Sequence, residues 1–155
     1  PSDHGFYRIA FPLIERNLPE IKVYVVGELG APSLFTIKKE NISFLGKIKH
    51  LDEIYNQCKV FIAPTRFAAG IPHKVHEAAA NGVPCVTTKL LAKQLNWTEG
   101  KELLTGDTPD EFAAQCLRLY DDQKLWENIR KQGLSVIDND CSKTNFQKQL
   151  KSIFS

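Results

Sequence analysis

Four short apolar runs, three of them closed by a glycine or a proline, constrain this chain more than any other feature. Residues 21–26 (IKVYVV) end at Gly27, residues 42–45 (ISFL) at Gly46 and residues 60–63 (VFIA) at Pro64; residues 85–88 (CVTT) form the fourth. Runs this short and this continuously apolar read as strands buried on both faces. Helical patterns lie between and around them. Phe6, Ile9, Ala10, Leu13 and Ile14 share one face of a helix over 6–18 that Pro19 ends. Residues 51–58 read as a short helix, and 73–81 as an alanine-rich one with Gly82 in the position that follows a helix end. Thr108-Pro-Asp-Glu111 is a helix start with a Thr cap, a first-turn proline and a capping-box glutamate, followed on one face by Phe112, Cys116, Leu119 and Tyr120. Helices over about 124–137 and 143–154 complete the pattern. Strands alternating with helices pair in parallel through crossover helices, so the expected fold is a doubly wound α/β domain with a parallel sheet of about five strands. Ligands of such sheets bind beyond the carboxyl ends of the strands. The segments to search are therefore those after Val26, Leu45, Ala63 and Thr88.

Composition narrows the function classes. At 155 residues with 43% hydrophobic and 25% charged side chains, the chain suits one globular domain. Its net charge of +2 comes from interspersed charges, and the short cluster Lys47, Lys49 and His50 reads as a solvated loop, so no nucleic acid is expected as partner. No apolar run approaches the ~20 residues that span a bilayer, and no signal peptide opens the sequence. Cys58, Cys85, Cys116 and Cys141 stand far apart without a C-x-x-C pair, which points to reduced thiols and a cytoplasmic protein. The sequence contains no methionine, which fits a piece of a longer chain.

The segment after the third run, PTRFAAGIPHKVHE (64–77), carries the candidate chemistry. Ala68, Ala69 and Gly70 let a ligand approach the backbone as the loop enters a helix. Free amides and the positive end of the helix dipole then favour an anion such as a diphosphate. The dipole contributes only about 0.3–1 kcal/mol, so such a site also wants a fixed cation, which Lys74 in the first turn offers. Glu77, a turn further in, is placed to reach past phosphates toward the hydroxyls of a ribose. The pattern alone leaves open an ordinary strand–loop–helix connection with a solvated lysine and a glutamate that favours the helix start. His73, His76 and Glu77 form H-x-x-H-E, not the H-E-x-x-H spacing that sets two metal ligands on one face, so no metal is expected. A G-x-S-x-G elbow and a G-x-x-x-x-G-K-S/T phosphate loop are both absent, and Gly27-Glu-Leu-Gly30 is too short for a dinucleotide fingerprint.

Residues 44–88 (FLGKIKHLDEIYNQCKVFIAPTRFAAGIPHKVHEAAANGVPCVTT), the preceding PEIKVYVVGE and the later EGKELLTGDTPDEFAAQCLRLYDD together resemble the C-terminal, donor-binding domain of family 4 glycosyltransferases. These are retaining enzymes of the GT-B fold, and the similarity is greatest to the branch whose loop reads G-x-G-I-P-x-K-x-x-E-A. The resemblance implies a Rossmann-like parallel sheet flanked by helices, one half of a GT-B fold. It implies binding of a nucleoside-diphosphate sugar for transfer to the hydroxyl of a glycan, lipid or protein acceptor. That acceptor would be held by an N-terminal domain outside this sequence, which would also carry any peripheral contact with the inner face of the membrane. No cofactor is implied. Carried over by position, Gly70, Ile71 and His73 would lie against the diphosphate through their amides, with Lys74 beside them. Glu77 would hold the ribose and Ile48 would lie next to the base. Pro72 cannot donate an amide.

The sequence departs from the family pattern at three places. The first glutamate of the family's paired-glutamate motif, eight residues before Glu77, falls on Ala69. The family's basic pair on the diphosphate would lie at or before the start, where His4 precedes Gly5. The acceptor domain is missing. A non-catalytic GT-B-like binding or scaffold module is therefore the alternative to an enzyme. A sugar-nucleotide epimerase is disfavoured by the motif match, and a phosphoacceptor regulatory domain by the lack of an acidic pocket.

Overall fold

The computed structural model describes residues 6–27, 40–65 and 72–142. A π-helical segment, Phe6–Ala10, runs straight into α1 (Phe11–Asn17). The sequence reads as one helix over 6–18, and the division falls where Pro12 removes an amide donor from the ladder. There follow β1 (Val23–Val26), β2 (Ile42–Gly46), α2 (Asp52–Tyr55), β3 (Phe61–Ala63) and α3 (His73–Ala80). The chain continues with β4 (Cys85–Thr87), α4 (Lys89–Leu95), β5 (Leu104–Thr105), α5 (Pro109–Asp121) and α6 (Gln123–Asp140). The helix expected over 143–154 lies outside the described residues. No helix among the described residues is long and apolar enough to cross a membrane.

The five strands among the described residues are all parallel, but they form two hydrogen-bonded groups, β1-β2 and β3-β4-β5, where a single sheet is expected from the sequence. β3 is three residues long, is closed by Pro64 and pairs with β4, while β1 pairs with β2 and shifts register between Val25 and Val26. Helices cover both faces. Neighbouring residues of β4 and of the approach to β5 point to opposite sides, as the two-residue period of a strand requires. Val86 and Leu104 join Phe6, Phe11, Ile14, Phe112, Leu119 and Ile129 under α1 and α5. Cys85 and Leu103 join Tyr55, Val75, Ala78, Leu91 and Trp97 under α2, α3 and α4. The four cysteines are free, with Cys85 and Cys116 buried in opposite cores.

Two helix ends follow the sequence closely. Thr108 accepts from the Glu111 amide at 3.2 Å while the Glu111 carboxylate accepts from the Thr108 amide at 3.3 Å, a complete capping box. At the end of α3, Val83 N donates to Ala78 O at 3.0 Å and Gly82 N to Ala79 O at 2.9 Å, a Schellman motif around Gly82 at φ +72°.

Two other glycines give opposite expectations. A Cβ on Gly106 would stand 2.5 Å from Phe112 N and 2.6 Å from Phe112 Cα, both backbone atoms at the start of α5. Gly106→Ala should therefore destabilise the protein by about 1–3 kcal/mol through overpacking. A Cβ on Gly133, inside α6, would meet its nearest neighbours at an ordinary 3.7 Å and 3.8 Å. Gly133→Ala should stabilise by about 0.4–1 kcal/mol through the unfolded chain's lost freedom. Thermal melts of the two variants should move in opposite directions, and a neutral Gly106→Ala would show that α5 does not start where described.

Candidate functional site

The site is assembled at the carboxyl ends of the strands, around the start of α3. β1 and β2 end together, because Gly27 N donates to Gly46 O at 2.8 Å. β3 and β4 are tied just beyond their ends by Thr88 Oγ1, which donates to Thr65 O at 2.7 Å. Onto this edge α3 presents its amino end. Pro72 occupies the cap position and has no side-chain oxygen to offer the first amides. The two following helix starts are already served. Lys89 N, opening α4, donates to Asp107 Oδ1 at 2.9 Å, and α5 has its capping box. Of these three helices, α3 is the one without a side-chain cap among the described residues.

Lys74 completes that end. Its side chain reaches from the first turn of α3 to the end of β1, where a Cβ built on Gly27 would lie 3.5 Å from Nζ. Gly27 has φ +116°, a backbone conformation that side chains rarely adopt. Gly27 thus makes the turn out of β1, and the ammonium lies at ordinary contact distance from the place its Cβ would take. His73 and Lys74 are exposed on this edge, and Ile48 is half-buried in the stretch after β2.

Glu77 lies one turn into α3 and is exposed, but its carboxylate has a neighbour. The phenol of Tyr55, at the end of α2, lies near enough to feel its charge. Burial, and then the charge of Glu77, push the Tyr55 phenol up to about 12. His76 turns elsewhere. Its ring meets Trp97 edge-on at 5.4 Å, and Trp97 Nε1 donates to Asp140 at 3.4 Å. Burial lowers the His76 pKa, against the opposing pull of Asp140, and His73 adds to the lowering. The apparent His73–His76–Glu77 cluster is therefore split between Tyr55 and Trp97. Among the described residues no group of three or more His, Cys, Asp or Glu could hold a metal ion.

Of the residues singled out from the sequence, Lys74, Glu77 and His73 stand together on the first turns of α3, and Ile48 follows the strand whose end is tied to Gly27. Gly70 and Ile71, like Ala68 and Ala69 before them and His4 and Gly5 at the start, lie outside the described residues. Sequence reasoning missed that Gly27 meets Lys74 and that Tyr55 lies near Glu77. Gly27 is visible only as a strand terminator, and Tyr55 reads as one apolar position of a short helix.

The parallel strands flanked by helices give the chain a Rossmann-like α/β architecture, with Lys74 at the carboxyl edge of the strands. Residues 4–122 match the family described as glycosyl transferases group 1, and the chain belongs to that family. No curated protein matches it in sequence. Among solved structures, the Anabaena protein HepE in complex with UDP and glucose is similar with TM-score 0.79 and 14% identity, over 99% of this chain and 45% of that one. The pneumococcal O-GlcNAc transferase GtfA, with UDP and GlcNAc, is similar with TM-score 0.71 and 22% identity, over 90% and 30%. The C-terminal domain of a glycosyl transferase group 1 family protein (LpcC) from Francisella tularensis gives TM-score 0.71 and 19% identity, over 90% and 79%. The chain thus spans under half the length of HepE and under a third of GtfA.

Proposed function

We propose that this chain is the donor-binding, C-terminal domain of a retaining family 4 glycosyltransferase of the hexosyltransferase type, working with an N-terminal domain that binds the acceptor. The observation that carries the reading is the Lys74 ammonium seated against Gly27 beside an uncapped helix start, with Glu77 one turn on. In this reading the amides of Gly70, Ile71 and His73 and the charge of Lys74 hold the donor diphosphate. Glu77 accepts from the ribose hydroxyls, and Ile48 lies against the base. During transfer the bond from the sugar's anomeric carbon to the diphosphate oxygen breaks, the acceptor hydroxyl oxygen takes its place on the same face, and the hydroxyl proton passes to the departing diphosphate. The negative charge that grows on the leaving diphosphate is what the helix end and Lys74 stabilise. Those charges do the work that a metal would otherwise do, so none is required. The protein works in the cytoplasm, and peripheral membrane contact belongs to the acceptor domain. The isolated domain binds nucleotide weakly and transfers no sugar.

HepE and GtfA were solved with UDP, which makes a uridine diphosphate sugar the first donor to test. Thermal melts with UDP, GDP, ADP and their sugars should show one base raising the melting point. At about 100 times the dissociation constant the gain is about 2.7 kcal/mol. Melts unmoved by every nucleotide diphosphate would sink the reading. A second reading, a binding module without transfer activity, is favoured by Ala69 at the place of the family's first glutamate. Nucleotide binding without turnover in the full-length protein, acceptor domain included, would select it.

A further inference from the structure

Thr88 stands where a threonine ordinarily caps a helix. It directly precedes α4 and has the extended backbone of a cap residue, φ −82° and ψ 158°, yet its side chain bonds to none of that helix's amides. Its hydroxyl turns the other way and donates to Thr65 O at 2.7 Å. The cap it leaves is supplied from elsewhere, because Asp107 Oδ1 accepts from Lys89 N at 2.9 Å across 18 positions of chain. The strand pairing shows what the hydroxyl adds. The ladder between β3 and β4 runs Phe61↔Cys85, Ile62↔Val86 and Ala63↔Thr87. Pro64 has no N–H with which to continue it. Thr88 extends the pairing past the last ladder pair by means of a side chain. It does so at 5% exposure, where water competes little for the bond.

We infer that Thr88 is a positioning residue for the donor site: its hydroxyl holds the Thr65 carbonyl and so fixes the end of β3, from which the chain sets out for the start of α3. The inference rests on the donor-site reading above and adds to it a residue from the head of α4. Seven positions separate Thr65 from Pro72 at the cap of α3. The far end is fixed by packing, because Val75 at 1% exposure and Ala78 at 0% seat α3 in one core cluster with Cys85 of β4. Without the Thr88 hydroxyl, the β3–β4 ladder would hold the near end only as far as Ala63. Groups that face a diphosphate act through their placement, and a misplacement of about an ångström is felt. A cap threonine diverted from its own helix is a broken local preference, and such breaks are expected where a ligand site competes with stability. A purely structural threonine would make the same hydrogen bond, so the ligand separates the two roles. A positioning role touches ligands that carry phosphates and spares those that do not.

The test is titration of UDP and of uridine into wild type, Thr88→Val, Thr88→Ser and Asp107→Ala, with melting points recorded for each. Calorimetry follows UDP, and NMR shifts follow the weaker nucleoside. Thr88→Val keeps the branched shape and removes the donor. It should weaken UDP about threefold to tenfold, the worth of one ordinary hydrogen bond, and leave uridine within the error of wild type. If Thr88→Val does not fold, Thr88→Ala takes its place with the same expectation. Thr88→Ser keeps the hydroxyl and should bind UDP as wild type does. Asp107→Ala frees the first amide of α4 without touching Thr65, so it should lower the melting point and leave both ligands unchanged. Four results would each overturn the positioning role and leave the donor site standing. They are equal weakening of both ligands by Thr88→Val, unchanged UDP affinity in it, Thr88→Ser as weak as Thr88→Val, and the same UDP loss in Asp107→Ala. No UDP binding by wild type would overturn the donor-site reading and this inference with it.

Discussion

Truncating Phe11 to alanine is expected to cost the fold about 3–5 kcal/mol, the usual loss for a large aromatic taken from a core. Phe11 is 0% exposed at the start of α1. Its ring lies 6.4 Å from that of Phe6, which in turn meets Phe112 of α5 edge-on at 5.7 Å. The same cluster holds Val86 of β4, Leu104 of β5, Leu119 of α5 and Ile129 of α6, so the cavity would open where four elements converge on α1. A domain of this kind is stable by about 5–15 kcal/mol in all, so the loss is a large share. The consequence would reach the site. α1 leads into β1, and Asn41, just before β2, donates to Glu15 of α1 at 2.9 Å. Loosening α1 therefore loosens the strand pair whose end faces Lys74. A urea melt followed by circular dichroism should show the midpoint falling with an unchanged slope, and a thermal melt should fall by about 10 °C or more. A loss below about 1 kcal/mol would mean that α1 does not dock as described.

Much of this architecture is legible in the sequence because the relevant signals are local. The capping box at Thr108 and Glu111, the glycine after α3 and the apolar runs of β1 to β4 each depend on residues within a few positions of one another. α4 and β5 are not legible in the same way. β5 is two residues long, too short to show a period, and α4 (KLLAKQL) begins on Thr88, whose side chain does not cap it but reaches back to Thr65. Its first amide is served by Asp107, far along the chain, a partner that no local pattern reveals. The division of the five strands into two groups is equally invisible, since pairing between strands is set by tertiary geometry and not by composition.

The candidate site divides along the same line. Lys74 and Glu77 are readable because a strand–loop–helix segment with a first-turn lysine has a chemical logic of its own. Their partners are not. Gly27 precedes Lys74 by 47 positions and Tyr55 precedes Glu77 by 22, and each pair is brought near only when the strands align. The same alignment separates His76 from Glu77, although the two are adjacent in sequence, because one faces Trp97 and the other Tyr55.

Glu77→Gln is expected to weaken nucleotide diphosphate binding about tenfold to a hundredfold. Hydrogen bonds to a charged acceptor are worth about 1.5–3 kcal/mol, and the amide keeps the shape while removing the charge. Its placement supports this size of effect. The residue sits one turn into α3, behind the helix start proposed to face the phosphates and three residues after Lys74. If Glu77 served only the helix or Tyr55, the substitution would lower stability slightly and leave the ligand's affinity alone. The central claim is therefore tested most directly by calorimetric titration of UDP into wild type and Glu77→Gln, with melting points taken for both. A dissociation constant raised at least tenfold, with nearly equal melting points, is the predicted result. Equal dissociation constants would contradict the assignment of α3 as the donor site.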